Sequence, residues 1–228
     1  MLTGTQYKDE SLEGKNTVEI VSIMNDIRDQ IEKLKDTMEN PDNKGNVLDT
    51  ERNQIESLRE YLHKAQEALL ELGEEYTPSK LEQQDMAFNE NLYALSKVVL
   101  SQHCFMGSSY DCEIKLQDNS LKTEISTFPL LVDEERNRPK FEPFSEHSYD
   151  KERFLREMKG LHIGEWRKEY DVERFGITIM DGVQWDLEFV FSNGFGPITI
   201  KGNNSYPYNF NEFDKLFGNN KMDRQSQN

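Results

Sequence analysis

The N-terminal half of the chain carries apolar residues at alternating intervals of three and four. This spacing puts them on one side of an α-helix, in the heptad pattern of helices that pack side by side. The first seam of apolar residues comprises Ile20, Met24, Ile27, Ile31, Leu34 and Met38. The second seam comprises Leu48, Ile55, Leu58, Leu62, Ala65, Leu69 and Leu72. Because Pro41 and Gly45 interrupt the pattern between them, the two seams predict an antiparallel helical hairpin.

A third amphipathic segment follows the sequence YTPS. Ser79 and Glu82 have the spacing of a capping box, and apolar residues recur at helical spacing as far as Val99. Three such helices close a small bundle, whereas two leave their seams half exposed to a partner. The sequence therefore predicts a coiled-coil-like helical hairpin or three-helix bundle over residues 17–104, after a flexible tail at residues 1–16.

Beyond Gly107 the apolar residues alternate with polar ones, as they do in strands with one buried face. The segments 110–116 and 121–131 alternate in this way around a short polar turn, which predicts a β-hairpin. A charged, proline-containing connector then leads to a predicted helix over residues 149–161. This part of the chain is therefore predicted to contain a β-hairpin, a connector and a helix.

A second β region occupies the remaining residues. The segment 166–180 begins this region, and the hairpin turn signal Asp181–Gly182 joins it to the cleanly alternating strand Val183–Phe191. Residues 198–201 pair back after another turn. We therefore expect residues 105–218 to form an antiparallel β-sheet domain with two helices, followed by a flexible tail at residues 219–228. The fold class predicted for the whole chain is α+β.

The stretch GNNSYPYNFNEF, residues 202–213, combines turn-forming residues with aromatic ones. Asparagine, proline and glycine clusters usually mark turns, so we interpret the stretch first as the passage from a strand to a helix. Phe210 and Phe213 are expected to be buried near Trp185. Tyr206 and Tyr208 flank Pro207, and at least one of them is expected to expose its hydroxyl group for a binding role.

Charge and cysteine content narrow the range of functions. The chain of 228 residues has a net charge of −16 and shows no basic stripe, so direct binding to a nucleic-acid backbone is disfavoured. The acidic surface suits a basic partner instead. The N-terminus lacks the apolar core of a signal peptide, and no stretch approaches the roughly 20 apolar residues of a membrane span. We expect a cytoplasmic protein with reduced thiols and no membrane association.

Two sets of residues invite a metal-binding interpretation. His103, Cys104 and Cys112 could bind zinc with His147 or His162, but the spacing between the cysteines does not fit a zinc knuckle, and buried structural thiols are favoured. Asp181, Asp186 and Glu188 could hold a divalent ion, yet their positions suit a turn and the solvent face of a strand. We therefore expect no metal site and no cofactor.

Catalytic motifs are also lacking in the sequence. Asp111, Glu113 and Lys115 have the spacing seen on strands of metal-dependent nucleases, but a match of three residues is common by chance, and an exposed sheet face is favoured. No nucleophile elbow, phosphate-binding loop or zinc-protease motif is present. We name no catalytic residues.

The last third of the chain carries motifs of a recurring kind. They are W-x-x-x-Y, then D-G-x-x-W-x-L-x-F, then G-x-N-x-Y-P-x-N-F, beginning shortly after Asp150. In these motifs the segment resembles a C-terminal module of uncharacterised, mostly bacterial proteins. The resemblance implies a bacterial or phage origin and a small α+β domain, and it implies no catalytic residues.

We expect a non-enzymatic interaction protein, an accessory subunit of a bacterial or phage complex, including one in phage defence or counter-defence. It would bind a protein partner, or itself, through the helical region. The candidate partner-binding residues are Ile27, Ile31, Leu58, Leu62, Tyr206 and Tyr208. One alternative is an acidic inhibitor that imitates nucleic acid. Another is an enzyme of unrecognised type, with a pocket near Trp166, Tyr170, Tyr206 and Tyr208.

Overall fold

The chain folds into two compact units, which are residues 1–78 and residues 79–228. The computed structural model describes residues 3–43, 48–104, 109–117, 120–128 and 151–216. Helices make up the first unit, and a six-stranded sheet with helices makes up the second, so the predicted α+β class is confirmed. The division between the units falls after residue 78, earlier in the chain than the predicted boundary between residues 104 and 105.

The first unit is built on two long helices that carry the predicted seams. Helix α1 is Gly4–Tyr7, α2 is Thr17–Glu39 and α3 is Leu48–Glu71. Asn16 and Glu19 form a capping box that satisfies backbone N–H groups at the start of α2. At the end of α3, Gly73 adopts a left-handed backbone and the N–H of Glu74 donates to Leu69, which makes a Schellman stop.

Most seam residues are buried between α2 and α3. The buried members are Ile20, Met24, Ile27, Ile31 and Met38 on α2, and Ile55, Leu62, Ala65 and Leu69 on α3. Each large aliphatic side chain buried in this way contributes about 1.5–3 kcal/mol of hydrophobic stabilisation. The seams therefore serve first to hold the hairpin together.

The segment before α2, predicted as a flexible tail, packs on α3 in the structure. Tyr7 stacks on Tyr61 with ring centroids 4.1 Å apart, and Leu12 is buried. The N–H of Gly4 donates to the carboxylate of Glu60 over 3.1 Å. A pair of helices leaves one flank of each helix uncovered. The N-terminal segment is largely polar, but it packs on this flank of α3 because Tyr7 and Leu12 supply apolar surface.

The third predicted helix is shorter than its pattern indicated. Helix α4 is Lys80–Asn91 and starts at the predicted Ser79–Glu82 capping box. A single 3₁₀ turn follows, and Leu95–Cys104 is strand β1, which corrects the helical interpretation of this segment. Pairing with a strand on each side outweighs the helical spacing of its apolar residues. Because α4 belongs to the second unit, no three-helix bundle forms in the first.

The second unit is organised around a six-stranded sheet with the order β3-β2-β1-β5-β6-β4. The strands are β1 Leu95–Cys104, β2 Ser109–Gln117, β3 Ser120–Phe128, β4 Glu169–Asp171, β5 Val183–Phe191 and β6 Ile198–Asn203. The predicted β2–β3 hairpin is confirmed, as is the return from β5 to β6. All pairings are antiparallel except that of β4 with β6, which makes the sheet mixed.

The predicted hairpin at Asp181–Gly182 does not form. No strand pairs with β5 across this turn, because β5 lies between β1 and β6. The segment 166–180, predicted to form the other strand of this hairpin, contains the short strand β4 followed by a 3₁₀ helix, Val172–Phe175. The Asp181–Gly182 signal reports only the local turn. It does not reveal that β5 pairs with β1, a strand far away in the sequence.

One face of the sheet is covered by α4, by α5 (Lys151–Gly160) and by α6 (Phe210–Leu216). The fully buried side chains at this interface include Phe88, Phe154, Met158, Trp185, Leu187, Phe189, Phe210 and Phe213. A side chain at Gly202 would clash with the ring of Trp185, so only glycine fits at that point of β6. None of the helices in the described parts of the chain is long and apolar enough to cross a membrane.

Candidate functional site

A shallow groove of about 450 Å³ runs along one flank of the helical hairpin. Most of its surface is apolar. Its lining consists of Leu34, Leu58 and Tyr61 together with the polar residues Gln30, Lys33, Gln54 and Ser57. A groove with a mostly apolar floor, supplied by two helices, is the form of site that accepts one side of another helix.

The groove arises where the two seams are not fully used inside the hairpin. Leu34 and Leu58 belong to the seams but remain half-buried, whereas Ile27, Ile31 and Leu62 are buried. Two facing helices cover the centre of each apolar stripe, and residues at its edge stay accessible unless a third element covers them. Leu34 and Leu58 occupy that edge.

The groove adjoins the position of the N-terminal segment. Tyr61 lines the groove and also stacks on Tyr7 with the ring planes 9° apart. Lys8 holds the same segment to α3 through an ion pair with Glu71 over 2.6 Å. One part of the flank of α3 is therefore occupied by a helical segment of the chain, and the adjoining part is the groove.

The candidate partner-binding residues have different surroundings in the structure. Ile27, Ile31 and Leu62 lie inside the hairpin and would reach a partner only if the hairpin opened. Leu58 lines the groove. Leu34 and Tyr61 were not among the candidates, although Leu34 is a seam residue; nothing in the sequence distinguishes an edge position from a central one before the helices are paired.

Residues 202–213 are part of the core of the second unit. The ring of Tyr206 stacks on Trp185 with centroids 5.6 Å apart, and the indole N–H of Trp185 donates to the carbonyl of Ser205 over 2.9 Å. Phe210 and Phe213 are buried, and the centroid of Phe210 lies 4.9 Å from that of Trp185, so their predicted burial is confirmed.

The side chain of Asn209, which directly precedes α6, bonds to two residues far from it in the sequence. Its side-chain oxygen accepts a hydrogen bond from the indole N–H of Trp166 over 3.0 Å. Its amide nitrogen donates to the carbonyl of Leu161 over 2.8 Å. In the region proposed for an enzymatic pocket, Trp166, Tyr206 and Asn209 thus take part in ring packing and hydrogen bonds. Tyr206 and Tyr208 are both half-buried.

Two of the candidate zinc ligands, Cys112 and His103, have surroundings that disfavour a shared metal ion. Cys112 is fully buried, and burial, with the nearby Asp214 carboxylate, raises the pKa of its thiol to about 12. A protonated thiol is a poor metal ligand. Cys112 pairs with Leu100 of β1, and both are buried on the same face of the sheet. His103 is exposed on the opposite face of β1, so it cannot bind the same ion as Cys112.

The other face of the sheet carries paired charges. Glu113 lies 2.8 Å from Lys115 and 3.4 Å from Lys97, and the hydrogen bond from Lys115 lowers the pKa of its carboxyl group. Hydrogen bonds from Lys122 and Lys115 lower the pKa of Glu124 to about 2. These carboxylates alternate with lysines, unlike the unneutralised row of charges that an imitation of nucleic acid requires.

Comparisons with protein-family models, curated proteins and solved structures find no match to this chain. The resemblance of the last third to a bacterial module therefore rests on its motifs alone.

Proposed function

We propose that the protein is a non-enzymatic interaction subunit, which binds an amphipathic helix of a partner protein in the groove of the α2–α3 hairpin. The observation that carries the proposal is the apolar floor of the groove, formed by the half-buried Leu34 and Leu58 beside the buried Tyr61. Apolar side chains of another chain that pack on this floor would leave water, which is energetically favourable.

The shape of the groove indicates that the bound segment of the partner is a helix. Two antiparallel helices leave a trough along their flank, and a third helix fills it with side chains spaced three and four residues apart. The N-terminal segment already occupies the neighbouring part of this flank, with Tyr7 on Tyr61. A partner helix in the groove would extend that packing toward Leu34 and Leu58.

The charge of the first unit favours basic residues on the partner. Residues 1–78 contain nine lysines and arginines and eighteen aspartates and glutamates, for a net charge of −9. A helix with lysine or arginine on the sides of its apolar stripe would be attracted to this surface. Complementary charge acts mainly on the association rate, so binding should weaken as salt increases.

The wider role proposed for such a subunit is an accessory function in a bacterial or phage complex. Support for this wider role comes from the sequence resemblance, and support for the binding mode comes from the groove. The two parts of the proposal are therefore tested separately.

Site-specific photo-crosslinking tests the binding mode. A photoreactive residue at Ser57, which lines the groove, should capture the partner in extracts of the native source. The same residue at Ser22, which is exposed on α2 away from the groove, should not. Leu58→Asp should abolish capture at Ser57, while circular dichroism shows whether the hairpin remains folded.

The captured species decides between the possible occupants. A cross-linked peptide with an amphipathic helical sequence and basic flanks would support the proposal. A product between two copies of this chain would show self-association instead. Equal capture at Ser57 and Ser22, or capture insensitive to Leu58→Asp in a folded protein, would contradict a groove site.

A further inference from the structure

Three side chains with metal-binding atoms meet in the second unit, where α4 contacts the turn after α5. They are Asp85 on α4, His162, and Glu165 at the end of the 3₁₀ turn Ile163–Glu165. The imidazole Nδ1 of His162 lies 2.9 Å from the Oδ2 atom of Asp85. One donor atom from each of the three side chains lies within 4.8 Å of the others. Among the described residues, no other three histidine, cysteine or acidic side chains come together in this way.

The carboxylate of Asp85 is held in a fixed orientation. The backbone N–H of Gly164 donates to its Oδ1 atom over 3.2 Å, and the amide nitrogen of Asn89 donates to Oδ2 over 3.0 Å. Only 7% of Asp85 is exposed. Such outer hydrogen bonds orient the ligands of metal sites and raise their affinity.

The turn that carries the other two ligands is pressed closely onto α4. A Cβ atom at Gly164 would lie 2.3 Å from the Cα of Asp85, so the approach requires glycine. His162 adopts the left-handed backbone region, with φ 51° and ψ 46°, which non-glycine residues adopt infrequently. The tight turn places the imidazole against the Asp85 carboxylate and leaves about a third of the His162 side chain exposed.

We propose that Asp85, His162 and Glu165 bind a divalent first-row transition metal ion, with zinc as the best-suited species. One imidazole nitrogen and two carboxylate oxygens are a donor set that zinc accepts, with water at the remaining position.

The surroundings suit zinc better than calcium or magnesium. Those two ions prefer shells of six or more oxygens and bind imidazole poorly. The amide oxygen of Asn89 is buried and accepts no hydrogen bond from the described residues, so a further donor atom lies beside Asp85 for whichever cation binds there. The site lies in the second unit and does not depend on the proposed function of the groove.

Titration calorimetry of the untagged full-length protein with zinc chloride tests the site. We expect saturable binding of one ion per chain, and parallel titrations with manganese and magnesium chloride should rank below zinc. Glu165→Gln and His162→Asn should weaken binding on the order of ten-fold or more. Asparagine tolerates the left-handed backbone at position 162, so the fold should be kept.

His63→Asn is the matched control. His63 is exposed and its Nε2 atom lies 3.2 Å from a carboxylate oxygen of Glu67, but this pair has no third ligand in the described structure. Its substitution should leave zinc affinity unchanged. Zinc should also raise the melting temperature of the wild type and not that of Glu165→Gln.

The proposal is overturned if the wild type binds no zinc saturably. It is equally overturned if Glu165→Gln and His162→Asn, both folded by circular dichroism, bind zinc as the wild type does. In either case Asp85 serves only as a clamp between α4 and the turn.

Discussion

The two units of this protein differ in how completely they enclose their apolar side chains. In the second unit, three helices cover one face of the sheet, and rings such as Phe88, Trp185 and Phe213 are almost inaccessible. In the first unit, two helices and a short N-terminal segment bury most of their seams but leave Leu34 and Leu58 half-buried. A sheet offers a broad surface that several helices can close, whereas two helices share only one narrow stripe.

The two units also differ in the kind of binding site that each can offer. The first unit offers an apolar surface with strong negative charge, which suits binding to another chain. The second unit holds polar groups at fixed distances inside or beside a packed core, as at Asp85 and Asn209. Rigid surroundings favour a site whose geometry must be accurate, and an open flank favours contact with a partner.

The largest expected effect comes from deleting β1. A fragment that starts at residue 79 should fold, whereas one that starts at residue 105 should not, because β1 pairs with both β2 and β5 at the centre of the sheet. Amide NMR spectra of the two fragments test this. Well-dispersed signals from the shorter fragment would show that the sheet does not need its central strand.

Within the second unit, Phe213→Ala should destabilise the fold by about 3–5 kcal/mol, because the ring is fully buried and its loss leaves a cavity. Tyr208→Ala should cost much less, since Tyr208 is only half-buried. Chemical denaturation followed by tryptophan fluorescence measures both. Equal losses would mean that the ring of Tyr208 matters as much to the core as that of Phe213.

A matched pair of leucines on α3 tests the first unit. Leu62→Ala should cost about 2–3 kcal/mol as a buried substitution, and Leu58→Ala about 1 kcal/mol, because Leu58 lies in the groove. Thermal denaturation of each variant supplies the comparison. A cost for Leu58→Ala as large as that for Leu62→Ala would show that the hairpin needs this residue and that the groove is not spare surface.

The smallest expected effect concerns thiol reactivity in the folded protein. Iodoacetamide at pH 8 should modify Cys112 far more slowly than Cys104, because the pKa of Cys112 is raised to about 12 and its side chain is buried. The thiolate, which is the reactive form, therefore stays scarce at that pH. Mass spectrometry of timed samples distinguishes the two sites. Rapid labelling of Cys112 would indicate that the sheet opens readily.

The sequence alone determined the local features of this protein. The capping box at Ser79, the stop at Gly73, the two helical seams and the β2–β3 hairpin all depend on residues a few positions apart. Such short-range hydrogen bonds and periodicities can be recognised without knowing the fold. The α+β class follows from them.

Only the tertiary structure decided which distant residues meet. Leu95–Cys104 has a helical spacing of apolar residues and becomes a strand because strands on both sides pair with it. Leu34 and Leu58 look like their seam neighbours until the pairing of α2 and α3 leaves them at the edge. Asp85 and His162 lie 77 positions apart and form a cluster only because α4 packs on a tight turn at Gly164. Contacts of this kind depend on long-range packing, which no local pattern in the sequence records.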